Sequence, residues 1–300
     1  MVASYLYARP VRLARFTHAD VTRLGVVLGD RIADLVAETW LPTDVGQLIE
    51  RGLLADDAAR DRLAEVAARA PTLAFADVTL CAPIARPPTL LAIGLNYRAH
   101  IAEAITAKPD VPLVFNKQIT CITGPHDPIE IPTAAPDHVD YEGELAVVIG
   151  TRCRSVSAAS AADVVAGYLV INDVSVRDWQ RASPTMTMGK SWDTHGPIGP
   201  WMVTADEIAD PHDLRIRTWV DDELRQDAST SQMLLNCWEL IEHLSTAFTL
   251  LPGTIIATGT PAGVGFAMEP SGVLRAGSRV RVEIDGIGAI DNPVIAQPSG

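Results

Sequence analysis

The stretch 139–150, VDYEGELAVVIG, sets a buried strand against two negative charges. Its second half, Leu145 to Ile149 closed by Gly150, is an apolar run of the kind that fills a sheet interior. Side chains alternate along a strand, so Glu142 and Glu144 at its entrance point to the same face, about 7 Å apart by backbone rise. A second apolar segment, GYLVIND at 167–173, ends in Asp173, and a carboxylate at a strand end commonly sits at the mouth of a sheet. Three hard oxygen donors brought together suit Mg²⁺, Mn²⁺ or Ca²⁺ better than a structural zinc. A divalent cation would also make the like-charged pair favourable. Alone, E-x-E more often marks a solvent-facing edge strand.

Outward from this stretch the chain divides by pattern. Residues 11–38 carry short β-type runs broken at THAD and LGDR, with Gly29-Asp30 a hairpin turn, and form a small β unit. Asp44 is a helix N-cap, and helical periodicity runs from there to about Ala70 through Leu48, Ile49, Leu53, Leu54, Leu63 and Val66. APIARPPTL (82–90) is a stiff, proline-rich connector, which places a small β-rich N-terminal domain with a helical segment at 1–84 and a larger domain at 85–300. Beyond it strands are expected at 90–94, 112–116, 144–150, 166–172, 198–203, 214–220, 254–258 and 279–284. Helices are expected near 98–104, 158–164, 174–181 and 232–247. This order is α+β, without regular βαβ alternation.

Composition narrows the function. The chain has 300 residues, 48% of them hydrophobic and 20% charged, which is globular rather than disordered. A net charge of -13 without a basic stripe argues against nucleic acid or a membrane surface as partner, so an anionic ligand needs locally placed Arg or Lys. Cys81, Cys121, Cys153 and Cys237 form no C-x-x-C pair and read as small core residues in a reducing compartment. The N-terminal MVASYLYARPVRLARF has charges inside any apolar stretch, which excludes a signal peptide, and no window reaches the length of a membrane span. A soluble cytoplasmic protein is expected.

Three further segments carry chemistry. In LLAIGLNYRAHIAEA (90–104) His100 and Glu103 are neighbours on one helical face. A carboxylate on one imidazole nitrogen orients the other as a general base, although an exposed His-Glu surface pair is the commoner meaning of this spacing. Their position after the Gly94 turn suggests a lid. In NDVSVRDWQRASPTMTMGKSWDTHGPIGPWMVT (172–204) the helical spacing of Asp173, Arg177 and Gln180 puts all three on one face. Arg177 is then a fork for a substrate carboxylate, or a partner of Asp173 or Asp178, and Lys190 is a second anion contact. GKS here is no phosphate loop, because Pro184 stands where the first glycine belongs. IIATGTPAGVG (255–265) is a strand entering a Gly/Thr turn, with the hydroxyls of Thr258 and Thr260 beside exposed backbone amides.

In this order the segments GLNYRAHIAE, PLVFNK, DYEGELAVVIG, NDVSVRDWQ, GKSWDTHGPIGPW and ATGTPAGVG resemble the fumarylacetoacetate hydrolase family, over roughly residues 85–295. The resemblance implies a mixed β-sandwich or β-roll catalytic domain, usually in a homodimer. It implies Mg²⁺ or Mn²⁺ on Glu142, Glu144 and Asp173, and a His100–Glu103 dyad on a lid. Arg177, Gln180, Lys190 and Thr258 match positions that contact substrate or the metal's surroundings. Gln118 departs from the small residue or proline usual after the lysine, which puts the pocket's size in question. The expected activity is hydrolysis of a C–C bond in an acylpyruvate-like 1,3-diketone 2-oxo acid through a metal-stabilised enolate. The same apparatus without water attack would decarboxylate oxaloacetate, or isomerise or hydrate an unsaturated 2-oxo acid. A metal-stabilised binding protein without turnover would lack the dyad or Arg177, and all three residues are present.

Overall fold

The computed structural model describes residues 12–104 and 109–298. Strand Gly143–Ile149 is buried along its whole length and lies in the middle of a twelve-stranded sheet, paired antiparallel to Val165–Asn172 on one side and Ile255–Ala257 on the other. The edge-strand reading of the glutamate pair therefore does not hold for this chain. Alternation assigns its two faces to different cores. Ala146 and Val148 join a cluster with Leu48, Ile49, Leu63 and Val66 of the N-terminal helices, while Leu145, Val147 and Ile149 pack with Ile216, Val282 and Ile290 of a second, five-stranded sheet. Helix Cys237–Ala247, with its capping box at Asn236 and Glu239, closes the second core through Leu240, Ile241 and Leu244.

Residues 12–84 continue this architecture. Strands Arg12–His18, Val21–Leu28 and Arg31–Asp34 extend the large sheet, which joins the rest through the antiparallel pair Arg12–His18 with Gly196–Thr204. The hairpin at Gly29-Asp30 forms as expected, with Gly29 at φ 61°. Asp44 caps helix Val45–Glu50, but Gly52, at φ 72°, ends that helical segment early, and a separate helix, Asp57–Arg69, follows. No described helix is long and apolar enough to cross a membrane. All four cysteines are free, three of them buried.

Two places differ from the sequence expectation in ways that matter for the site. The helix expected over 174–181 begins only at Arg177, because the segment before it, Ser175–Val176, pairs with Val139–Asp140 instead. Asp173 therefore does not share a helical face with Arg177. The same ribbon, together with the pair Gly143↔Asn172, brackets Glu142 and Asp173 across one antiparallel junction, where the Asp173 amide donates to the Glu142 carbonyl at 2.8 Å. The helix expected from 232 starts at Cys237, where its Asn236 cap sits.

The glycine between the two glutamates is demanded by sheet-on-sheet packing. A Cβ on Gly143 would come within 2.3 Å of Thr218 Oγ1 and 2.8 Å of Val282 Cγ1, both on the five-stranded sheet. Gly143→Ala is expected to destabilise the protein by about 1–3 kcal/mol through overpacking, read as a lower midpoint in urea. A second stability determinant is His195, fully buried with Nε2 2.9 Å from the Glu130 carbonyl. Burial pushes its pKa down from 6.5 to about 4. Between those values the unfolded chain binds a proton that the folded one refuses, so stability falls as pH drops from 6.5 toward 4, by about 3 kcal/mol in total. Replacement of His195 by Gln, which keeps a donor for the Glu130 carbonyl, is expected to flatten that part of the urea-midpoint profile.

Candidate active site

The junction described above gathers Glu142, Glu144 and Asp173 so that one carboxylate oxygen from each lies within 4.8 Å of the others, with all three residues buried. Their neutralisation is uneven. Lys190 Nζ donates to Glu142 Oε2 and to Asp173 Oδ2, both at 2.6 Å. Lys117 Nζ lies 2.8 Å from Asp173 Oδ1 and is held by the carbonyls of Val174 and Lys190. Arg177 Nη1 donates to Glu142 Oε1 and to Gln180 Oε1, while its Nε donates to Asp140 Oδ2 at 2.9 Å. Glu144 forms no ion pair among the described residues; its Oε2 accepts from the Gly259 amide at 2.8 Å.

The electrostatics follow this pattern. Burial opposes ionisation of Glu142, but Lys190, Arg177 and His100 outweigh it and hold the carboxyl well below its usual range. Glu144 moves the other way: burial, then repulsion from Asp173 and Glu142, pushes it well above. Burial would discharge Lys190, yet Asp173 and Glu142 keep it charged and raise it above the ordinary lysine value. The site is thus short of positive charge at Glu144. Asp173 Oδ1 is also buried without a hydrogen bond of normal geometry, despite the nearby Lys117. A divalent cation bound by these three oxygens would meet both needs, and the donor set is the hard, oxygen-only kind that Mg²⁺ or Mn²⁺ prefers.

Glu142 and Glu144 open onto a cavity of about 380 Å³ that also receives His100, Gln180 and Lys190. His100 comes from the short helix Arg98–Glu103, 6% exposed, with Nδ1 3.1 Å from Glu103 Oε1. Glu103 is itself fixed by the Gly263 amide at 2.7 Å, so the loop after Ile255–Ala257 orients the dyad. A larger cleft, about 560 Å³, lies between the first N-terminal helix and Leu251–Gly253 and contains none of these groups.

Not every expected residue reaches the cavity in the expected way. Arg177 lines it, but its guanidinium is engaged by Asp140, Glu142 and Gln180, so it buttresses a carboxylate instead of standing ready as a substrate fork. Thr258 is fully buried and donates its hydroxyl to the Leu145 carbonyl at 2.8 Å, stitching two strands; Thr260, two residues on, lines the cavity. Gln118 is exposed, with its amide on Ser191 Oγ, and does not shape the cavity wall. Sequence reasoning did not single out Asp140, although it stands two residues before Glu142 and so shares the alternation that identified the pair. It accepts from Arg177 and from the amides of Gly265 and Phe266, tying the glycine loop to the site. Lys117 carried a signal only as the last residue of PLVFNK.

With this geometry in place the comparisons with known proteins can be read. The family model described as Fumarylacetoacetate (FAA) hydrolase C-terminal matches residues 89–295. This chain belongs to the fumarylacetoacetate hydrolase family. It is 40% identical over 295 residues to a mitochondrial oxaloacetate tautomerase of Xenopus laevis, covering 96% of this chain and 91% of the relative. Among solved structures, a fumarylacetoacetate hydrolase from Exiguobacterium antarcticum superposes with a TM-score of 0.84 at 37% identity, covering 96% of this chain and all of that one. Maleylpyruvate hydrolase from Sphingobium sp. SYK-6, in complex with manganese (II) ion and pyruvate, gives a TM-score of 0.81 at 35% identity, again over 96% and 100%. These family relatives are enzymes, and they span more than one reaction. The manganese-bound relative and the acidic triad together support a divalent metal in the family site.

The charge imbalance yields a test of the triad. Without added metal, Glu144→Gln removes a buried carboxyl whose ionisation is opposed by burial and by Asp173 and Glu142, and is expected to raise the melting temperature. Addition of Mn²⁺ is expected to stabilise the wild type by several degrees and to leave this variant nearly unchanged, as read by calorimetry.

Proposed function

We propose that this chain is a divalent-cation-dependent enzyme of 2-oxo acids that hydrolyses a C–C bond in an acylpyruvate. The observation that carries this reading is that His100, oriented through Nδ1 by Glu103, shares one cavity with Glu142 and Glu144, two of the three clustered carboxylates. A cation held by these three carboxylates, Mg²⁺ or Mn²⁺, would supply Lewis-acid polarisation of the carboxylate and keto oxygens of a 2-oxo acid.

The chain's own residues do the remaining work. Glu103 holds the imidazole in the tautomer that leaves Nε2 unprotonated, and Nε2 takes a proton from water. The resulting hydroxyl adds to the distal carbonyl carbon. The bond from that carbon to the methylene breaks, and its electron pair stays with the pyruvate fragment. The imidazolium returns its proton to that fragment, so one water is consumed and a carboxylic acid and pyruvate are released. Lys190, charged and buried beside the carboxylates, faces the negative charge that develops on the pyruvate portion. Gln180, with Oε1 held by Arg177, offers its amide nitrogen to the substrate.

A second reading has its own support: the 40% identity to an oxaloacetate tautomerase over nearly the whole chain. In that reaction His100 would move a proton between the substrate's carbon and oxygen with no attacking water. Metal-loaded protein is to be given acylpyruvates and oxaloacetate in ¹⁸O-water. Label in the released acid is the expected outcome, with His100→Ala slowed about 10²–10⁴-fold. Keto–enol exchange of oxaloacetate with the acylpyruvate intact would select tautomerisation, and full turnover by His100→Ala would end the base assignment.

A further inference from the structure

Resting on the 2-oxo acid reading above, we propose that Met186 is a peroxide-sensitive modification site whose oxidation to the sulfoxide disables the cavity by capturing the amide of Gln180. Met186 is half-buried and lines the cavity together with Gln180. Its backbone is left-handed, at φ 58°, a conformation that glycine or asparagine adopts more readily than methionine. The side chain held there meets Gln180, whose Nε2 donates to Met186 Sδ at 3.6 Å. Two features enforce this contact. Arg177 Nη1 donates to Gln180 Oε1 at 3.0 Å, which turns the amide nitrogen toward the sulfur. Gly189 lets helix Thr187–Lys190 close on helix Arg177–Ala182, since a Cβ there would stand 2.2 Å from the Gln180 backbone nitrogen. The Met186 carbonyl accepts from the amides of Gly189 and Lys190, so the methionine is fixed to the turn that carries the buried lysine.

A thioether is a weak acceptor, and the Gln180 amide can leave it for a substrate oxygen at little cost. A sulfoxide is polar and places a strong acceptor oxygen one bond closer to that amide. The captured amide is then withdrawn from substrate, and a polar group stands in a wall otherwise formed by Ile93, Leu113 and Phe115. Hydrogen peroxide alone balances the step. One of its oxygens bonds to the sulfur lone pair, the O–O bond breaks, the proton on the transferred oxygen passes to the departing one, and water leaves. Sulfur gives up two electrons and the peroxide takes them. Met188, two residues on and 60% exposed, is the more accessible sulfur and provides an internal control.

The test uses Mg²⁺-loaded protein, because that ion has no redox chemistry with peroxide. Brief treatment with hydrogen peroxide is followed by peptide mass mapping and by calorimetric titration with pyruvate as the probe 2-oxo acid. Oxygen uptake at Met186 is expected to track a roughly tenfold loss of pyruvate affinity, the effect of about one hydrogen bond. Methionine sulfoxide reductase is expected to restore binding and a thiol reductant alone is not, which separates Met186 from the half-exposed Cys81. Met188→Leu is expected to stay as sensitive as the wild type, and Met186→Leu, measured against its own untreated state, to lose the sensitivity. Met186→Gln, which offers a carbonyl oxygen in place of the sulfoxide's, is expected to bind pyruvate weakly without peroxide. Pyruvate binding that is unchanged once Met186 is oxidised, oxidation that stops at Met188, or sensitivity retained in Met186→Leu would each overturn the switch and leave the 2-oxo acid reading standing. Untreated wild type that fails to bind pyruvate would overturn both.

Discussion

Three carboxylates buried within 4.8 Å of one another are an arrangement that water cannot relieve, and much of the structure around Glu142, Glu144 and Asp173 answers it. Lys190 bridges Glu142 and Asp173, Lys117 stands against the other oxygen of Asp173, and Arg177 ties Glu142 to Asp140. Counting Asp140, four buried carboxylates face three buried cations, and the shortfall falls on Glu144. A site balanced this way keeps its shape while retaining a demand for one more positive charge. That combination suits a cation site that must be both rigid and ready.

Rigidity comes from the crossing of the two sheets. Gly143 allows the five-stranded sheet to approach, and Gln226 of that sheet reaches across: its Oε1 accepts from the Gly143 amide, and its Nε2 donates to Thr260 Oγ1 and the Pro261 carbonyl. Thr260 in turn donates to the Gly143 carbonyl. The glycine loop is thereby anchored at the same point as the glutamates. Since that loop also fixes Glu103 through Gly263 and Glu144 through Gly259, the base and the acidic cluster share one frame. Correct relative placement of base and cation is what proton-transfer chemistry most requires.

Local pattern was a good guide where burial was uniform. The strands at Leu90–Gly94, Gly143–Ile149, Val165–Asn172 and Arg279–Ile284 follow their apolar runs closely, as does the Asp44 cap. Strand Glu223–Ser229 was not legible because ELRQDAS is mostly polar, without an apolar alternation, and Gly288–Ala296 because it contains Asn-Pro. Segment 158–164 is helical as expected but wound as a 3₁₀ helix. At the site, alternation paired the glutamates and i,i+3 spacing paired His100 with Glu103. Spacing misled for Arg177, whose partners Asp140 and Glu142 lie far away in sequence, and for Thr258, whose hydroxyl a neighbouring strand had already claimed.

By itself, then, the sequence picked out the candidates: residue types and short-range periodicity are local properties, and together with the family resemblance they named the acidic trio and the His100–Glu103 pair. Tertiary structure decided what each charge is free to do. Whether an arginine binds substrate or braces a carboxylate depends on groups brought beside it by strand register and sheet packing. Here the register that sets Glu142 across from Asp173 draws Arg177 and Lys190 into the buried cluster.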